Sequence, residues 1–189
     1  MLKDLIIKNR SYRRFHQNKR VTVEALRELV DLARLSASAA NRQPLKYILS
    51  CDPERNAAIF DTLAWAAYLK DWPGPVEGER PAAYIVILHD KKVADDIYCD
   101  HGIAAQSILL GAIEKGLGGC IVAAVNRKKL RKALDIPSGF DVPLVLALGV
   151  PRETVVLEEM GAGGDVKYWR DEDGVHHVPK RSLDDIIIG

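Results

Sequence analysis

Apolar residues recur along this chain in two different periods, and the switches between them mark out the elements. Leu2 to about Asn9 reads as a short first helix. After Thr22, the residues Leu26, Leu29, Val30 and Ala33 keep 3.6-residue spacing and predict a second helix. Asp52-Pro53 combines a side-chain cap with proline at the first helical position, and Ile59, Leu63 and Ala66 then share one face. This third helix is expected to end near Asp71-Trp72-Pro73-Gly74-Pro75, where two prolines bracket a glycine. Asn126 caps a further helix over Arg127–Leu134. Strands are predicted at Tyr47–Ser50, Tyr84–Leu88, Ile121–Val125 and Leu144–Val150. The unbroken apolar run Tyr84–Leu88 calls for burial on both faces. Val166–Trp169 and Val175–Val178 flank Asp171-Glu172-Asp173-Gly174, a hairpin signal.

The segment Gly102–Lys115 is different in kind. Ile103, Ala104, Ala105, Ile108, Leu109, Leu110, Ala112 and Ile113 encircle the helix almost completely. Such a helix belongs in the centre of a protein or in a large interface. Gly116 stands as its C-cap. The closing run Ile186-Ile187-Ile188 has no partner nearby in sequence and is a candidate for adding to a distant sheet, on this chain or on another subunit. The alternation of helices and strands predicts one α+β or α/β domain of three layers over residues 1–189.

Composition adds exclusions. The chain has 189 residues, 48% hydrophobic and 28% charged, which supports a folded core and rules out a disordered or coiled-coil chain. Lys+Arg 27 against Asp+Glu 26 leaves a formal charge of +1, so no global field recruits nucleic acid or a membrane surface. Any anion site has to be a local cluster. The three cysteines, Cys51, Cys99 and Cys120, form no Cys-x-x-Cys pair, which points to reduced thiols in a cytoplasmic protein. The N-terminal stretch is interrupted by Asp4 and Lys8 and does not read as a signal peptide, and no apolar run is long enough for a membrane span.

Candidate chemistry begins with absences: there is no Gly-x-Gly-x-x-Gly after a strand, no Gly-Lys-Ser/Thr loop, no His-Glu-x-x-His and no Gly-x-Ser-x-Gly. Neighbours in Cys99-Asp100-His101 diverge on a helix, and His176-His177 diverge on a strand, so neither forms a shared metal site. Arg10-Ser11-Tyr12-Arg13-Arg14 can offer two guanidinium forks and a hydroxyl to one phosphate, although a solvated basic face has the same composition. Lys180-Arg181 could close on the same anion. In Ser36–Pro44, small residues permit close approach to a flat ligand, and Asn41 and Gln43 supply amides. Gly116-Leu-Gly-Gly-Cys-Ile-Val-Ala-Ala124 is weak as a phosphate loop, but Ala123 and Ala124 could present backbone N–H groups to a ring.

In order and spacing, Arg10-Ser11-Tyr12-Arg13-Arg14-Phe15, Ser38-Ala-Ala-Asn41-Arg-Gln43-Pro44, Asp100-His-Gly102-Ile-Ala104-Ala-Gln106 and Gly116-Leu-Gly118 resemble the nitroreductase family. The resemblance implies a three-layer α/β/α fold of the α+β class, with a mixed, mainly antiparallel sheet around a central apolar helix. It also implies an FMN-dependent oxidoreductase working as an intertwined homodimer. Arg10, Ser11, Arg13, Lys180 and Arg181 would hold the flavin phosphate. Ser38, Asn41 and Gln43 from the partner subunit would bind other parts of the flavin, and backbone near Ala123 and Ala124 would approach the ring edge. NAD(P)H would reduce the flavin, which would then reduce a nitroaromatic, a quinone or an enone. The scheme demands no catalytic side chain, no metal and no nucleic acid. Other flavin chemistry, such as reductive removal of a substituent, or a flavin carrier remain alternatives. Asn9, Ala37 and Leu45 stand where many relatives carry a basic residue, a proline and an aromatic. The short region between Leu88 and Asp100 leaves Trp65, Tyr68 and Trp72 as cover for the ring face, with Trp65 read as core.

Overall fold

The computed structural model describes residues 1–161 and 163–189. Alternate residues of one central sheet face two different helical layers, and this alternation organises the α+β fold. The sheet contains β1 (Leu45–Ser50), β2 (Ala83–Asp90), β3 (Gly118–Val122) and β4 (Phe140–Gly149) in the order β1-β2-β4-β3, with every pairing antiparallel. Ile85, Ile87, Leu146 and Leu148 point to one side, where α2 (Val23–Leu35) and α4 (Asp100–Glu114) cover them. Tyr84, Val86, Val145 and Ala147 point to the other, toward α3 (Pro53–Phe60) and α5 (Arg127–Ala133). β2 is therefore buried from Ala83 to His89, as its continuous apolar run requires. The short helix α1 (Leu2–Lys8) lies against α4.

Helix starts follow local chemistry. Thr22 Oγ1 accepts from the Ala25 N–H, Asp52 from the Arg55 N–H at 2.8 Å, and Asn126 from the Lys129 N–H at 3.0 Å. Gly116, at φ +72°, reverses the chain after α4 in a conformation that costs glycine little.

The structure corrects the third helix, which stops at Phe60 rather than near Asp71. The Thr62 hydroxyl donates back to the Ile59 carbonyl at 2.7 Å, and the next backbone groups leave for another partner. The Ala64 N–H donates to Ala124 O, and the Asn126 N–H donates to Thr62 O. Leu63 and Val125 thus form a bridge beyond β3, so this stretch pairs with extended chain instead of continuing a helix.

A second sheet follows β4. Here β5 (Val155–Glu159), unforeseen in the apolar pattern, pairs parallel with β7 (His176–Lys180), and β6 (Trp169–Arg170) pairs antiparallel with β7. The expected hairpin is present, but its first arm is only two residues long. Ile186–Ile188 form no strand on their own chain and are 60% to 100% exposed. Among the described residues, no helix is long and apolar enough to cross a membrane.

Gly119 shows how closely the layers meet. A Cβ there would lie 2.5 Å from Leu109 Cδ2 and 2.8 Å from the Ala147 carbonyl oxygen. Backbone cannot yield as a side chain can, so Gly119→Ala should lower unfolding free energy by about 1–3 kcal/mol. Urea denaturation checks this; an unchanged midpoint would show that the layers are loosely packed.

Candidate functional site

The segment Arg10–Phe15 has no regular structure of its own, so its position depends on what its backbone bonds to. Ser11 bridges Gly119, and the Tyr12 N–H donates to Gly119 O at 3.0 Å. The Tyr12 ring lies against Gly118, where an added Cβ would come within 2.5 Å of it. The glycine pair that opens β3 is therefore a seat for this segment. Further on, the backbone N–H groups of Arg13 and Arg14 both donate to Glu153 Oε1. The second oxygen of Glu153 accepts from Arg170 at 2.8 Å, with the carboxylate side chain 1% exposed. Arg14 forks onto Glu79 through Nε at 2.7 Å and Nη2 at 2.6 Å. Glu153 and Glu79 were not among the candidates read from sequence, because their partners come from distant chain segments.

These anchors leave the Arg13 side chain buried between elements. Its guanidinium lies 4.7 Å from the Tyr168 ring centroid, and Nη1 stands 3.2 Å from both Ser11 O and His176 Nε2. Beside it is a cavity of about 310 Å³ lined by Asn9, Arg10, Ser11, Arg13, Tyr168, His176, Val178 and Lys180. Four of the five expected phosphate residues meet here. Arg181 does not: it follows the end of β7 and is absent from the wall. Among the described residues the lining contains no carboxylate, and two of its buried nitrogens, Arg10 Nε and His176 Nδ1, have no partner. Such a donor set fits an anion with several acceptor oxygens. His176, weighed in the sequence only as a metal ligand beside His177, is pushed down to about 4, first by burial and then by the charges of Arg13, Arg170 and His177. The alternation of His176, Val178 and Lys180 on one strand face was the signal available for it.

Arg13 also lines a second cavity, of about 220 Å³, with Ala64, Trp65, Ala66, Ala67, Cys120, Ile121, Val122, Ala123 and Ala124. Small side chains on this wall leave room for a flat group. Trp65, read as core, is half-buried against Phe60 and lines this space, with its indole N–H unpartnered. Trp72 lies under the Arg170 guanidinium at 4.3 Å, and Tyr68 packs on Tyr168 at 5.0 Å.

Ser38 and Gln43 are elsewhere, on a separate cavity of about 220 Å³ at the start of α4, with Asn41 exposed beside it. Buried Asp100 accepts from the Ser38 hydroxyl at 2.6 Å and the Ala39 N–H at 2.9 Å. The Gln43 N–H donates in turn to Ser38 Oγ, and the Gln43 amide donates to Asn41 Oδ1 at 3.1 Å. Ala40, Asn41 and Gln43 all have φ near +50°, a strained arrangement for residues with a Cβ. Asp100 is the clamp that holds this loop. Within one chain, the loop and the phosphate-type cavity have no lining residue in common. Among the described residues, no cluster of three or more His, Cys, Asp or Glu could hold a metal.

The sequence model of the nitroreductase family matches residues 6–150. This chain belongs to the nitroreductase family. Its relatives include an Archaeoglobus fulgidus protein named "Putative NADH dehydrogenase/NAD(P)H nitroreductase", 26% identical over 148 residues that cover 74% of this chain and 80% of the relative. A nitroreductase family protein from Streptococcus pneumoniae shares the fold, with a TM-score of 0.70 at 17% identity and full coverage of both chains. An FMN-dependent nitroreductase from Clostridium difficile superposes with a TM-score of 0.63 at 25% identity, over 89% of this chain and 92% of its own. The match of the family model ends with β4 and Val150, so Glu153, Tyr168, His176 and Lys180 lie beyond it.

The Arg14–Glu79 fork gives a pH-dependent prediction. The hydrogen bonds from Arg14 hold the Glu79 carboxyl below its ordinary value, so its stabilising effect is present at neutral pH and is lost as pH falls through the depressed value. Glu79→Gln should cost about 1–3 kcal/mol at pH 7, the range for losing a hydrogen-bonded charged partner. The gap from the natural protein should close on acidification toward pH 3; urea titrations showing a constant gap would exclude this pairing as its source.

Proposed function

We propose that this chain is an FMN-dependent oxidoreductase that passes hydride from NAD(P)H to an electron-poor acceptor such as a nitroaromatic, a quinone or an enone. The observation that carries the reading is the cation-rich, carboxylate-free cavity at Arg10, Ser11, Arg13 and Lys180, joined through Arg13 to the alanine-lined space beside β3. A terminal phosphate suits the first and a planar ring the second. Bound FMN would supply the two-electron chemistry, and the protein would supply position and charge.

The chain's own residues then have defined tasks. Arg10 and Arg13 would bind the phosphate through charge-assisted hydrogen bonds, with the Ser11 hydroxyl between them and Lys180 approaching from β7. Arg181 would contribute at most a more distant charge. Backbone at Ala123 and Ala124 would border the ring, and Trp65 would limit access of water to its edge. The scheme assigns no side chain to proton transfer.

Ser38, Asn41 and Gln43 would act on the flavin of a second subunit, in a homodimer of single-domain chains working in the cytoplasm. Their separation from the phosphate cavity supports a site completed by another copy. So do the exposed apolar residues Leu2 and Ile6 on α1, Leu32 and Leu35 on α2, and Ile103 on α4, together with the unpaired Ile186–Ile188 tail. The free thiols Cys51, Cys99 and Cys120 suit a reducing compartment.

Two measurements test the reading. FMN should bind much more tightly than riboflavin, which lacks the phosphate, and Arg13→Ala should weaken FMN by about 1.5–3 kcal/mol, roughly tenfold or more. Equal affinity for the two flavins sinks the phosphate assignment. Co-expressed Arg13→Ala and Asn41→Ala subunits should regain one strong flavin site per heterodimer, because one site is then wholly intact. No recovery means that each site is built within a single subunit.

A further inference from the structure

Alternation along β7 turns His176, Val178 and Lys180 toward the phosphate-type cavity, while His177 faces away and bonds to Glu158 and Asp171. His176 is 1% exposed, and its Nε2 lies 3.2 Å from Arg13 Nη1. A guanidinium has donors only, so Nε2 must accept and the proton of the neutral ring resides on Nδ1. That nitrogen is buried and has no partner among the described residues. Leaving such a donor unsatisfied is costly, and its place in the wall of a donor-rich cavity points to an acceptor supplied from outside.

The surroundings fix the charge state as well. Arg13 approaches from the N-terminal segment, Arg170 from β6, and Arg10 and Lys180 share the cavity. Tyr168 packs its ring 5.1 Å away. Glu153, the nearby carboxylate, is occupied by Arg170 and by the backbone of Arg13 and Arg14. His177, next along β7, is held by its own two carboxylates. Among the described residues no free carboxylate therefore faces the imidazole, and it stays a neutral ring with one unpartnered donor in the cavity wall.

We propose that the Nδ1–H of His176 donates to the terminal phosphate of the flavin, with Arg13 setting the tautomer that makes this possible. The proposal rests on the FMN reading above. It makes the sheet β5-β7-β6 part of the cofactor site, so a segment outside the family match decides how firmly the phosphate is held.

Flavin affinity of the full-length apoprotein, measured by fluorescence quenching at neutral pH, provides the test. His176→Gln keeps an acceptor for Arg13 near the Nε2 position but removes the donor near Nδ1. His176→Asn places an amide N–H near Nδ1. The Gln variant should bind FMN about tenfold more weakly with riboflavin unchanged, and Asn should recover most of the loss. Equal weakening of both flavins by Gln would reduce His176 to a packing residue, and unchanged FMN binding would remove it from the site; both overturn the proposal while leaving the FMN reading intact. A natural protein with no preference for FMN over riboflavin overturns both. Nitrogen-15 NMR of the natural protein is independent of the variants. The His176 Nδ1–H signal should shift with FMN and not with riboflavin, and an Nε2–H tautomer would overturn the proposal outright.

Discussion

A carboxylate that has left water must have its oxygens satisfied, and Glu153 meets that demand in a way that determines the rest of the site. One oxygen takes two consecutive backbone N–H groups from the N-terminal segment, and the other takes Arg170 from the second sheet. The N-terminal segment and the second sheet, some 140 residues apart, are thereby drawn to one point. Arg13 has no freedom to extend into solvent; its backbone is tied to Glu153 and its guanidinium is enclosed by Ser11, Tyr168 and His176. The cavity exists because these elements meet without filling the space between them.

The electrostatics follow from the same arrangement. Arg10, Arg13, Arg170 and Lys180 gather near the cavity and repel one another, a cost that paired carboxylates offset in part. Glu79 answers Arg14 and Glu153 answers Arg170, which leaves Arg10, Arg13 and Lys180 as the cations on the cavity wall. An arriving dianion would supply the balance that the protein withholds. A chain of nearly neutral net charge thus gathers three cations on one cavity wall.

The loop over residues 38–43 shows a different economy. Three residues with side chains sit in the left-handed region, a conformation they do not choose alone. Asp100 compensates through the Ser38 hydroxyl and the Ala39 N–H, using the end of the most apolar helix as a rigid base. The amides of Asn41 and Gln43 are thus held outward in a defined orientation. Strain of this kind is maintained where precise placement is useful.

Periodicity and capping, which act over a few residues, were legible without any structure. The starts of α2, α3 and α5, the doubly buried β2 and the apolar α4 follow from neighbours in sequence alone. Arg10, Ser11, Arg13 and Lys180 were candidates there by their charge and hydroxyl types, and the fold brings the four to one cavity wall. What required the tertiary structure was every feature set by partners far along the chain. The third helix ended early because Leu63 and Ala64 found extended backbone at Val125 and Ala124, some sixty residues away. Arg181 missed the cavity because β7 ended at Lys180, although its charge matched that of its neighbour. Glu153 and Glu79 were unremarkable as letters and His176 was weighed only as a metal ligand, since an acid or an imidazole acquires its role only from what is buried against it. Local sequence determined the elements and the reactive types; long-range burial decided which of those groups face one another.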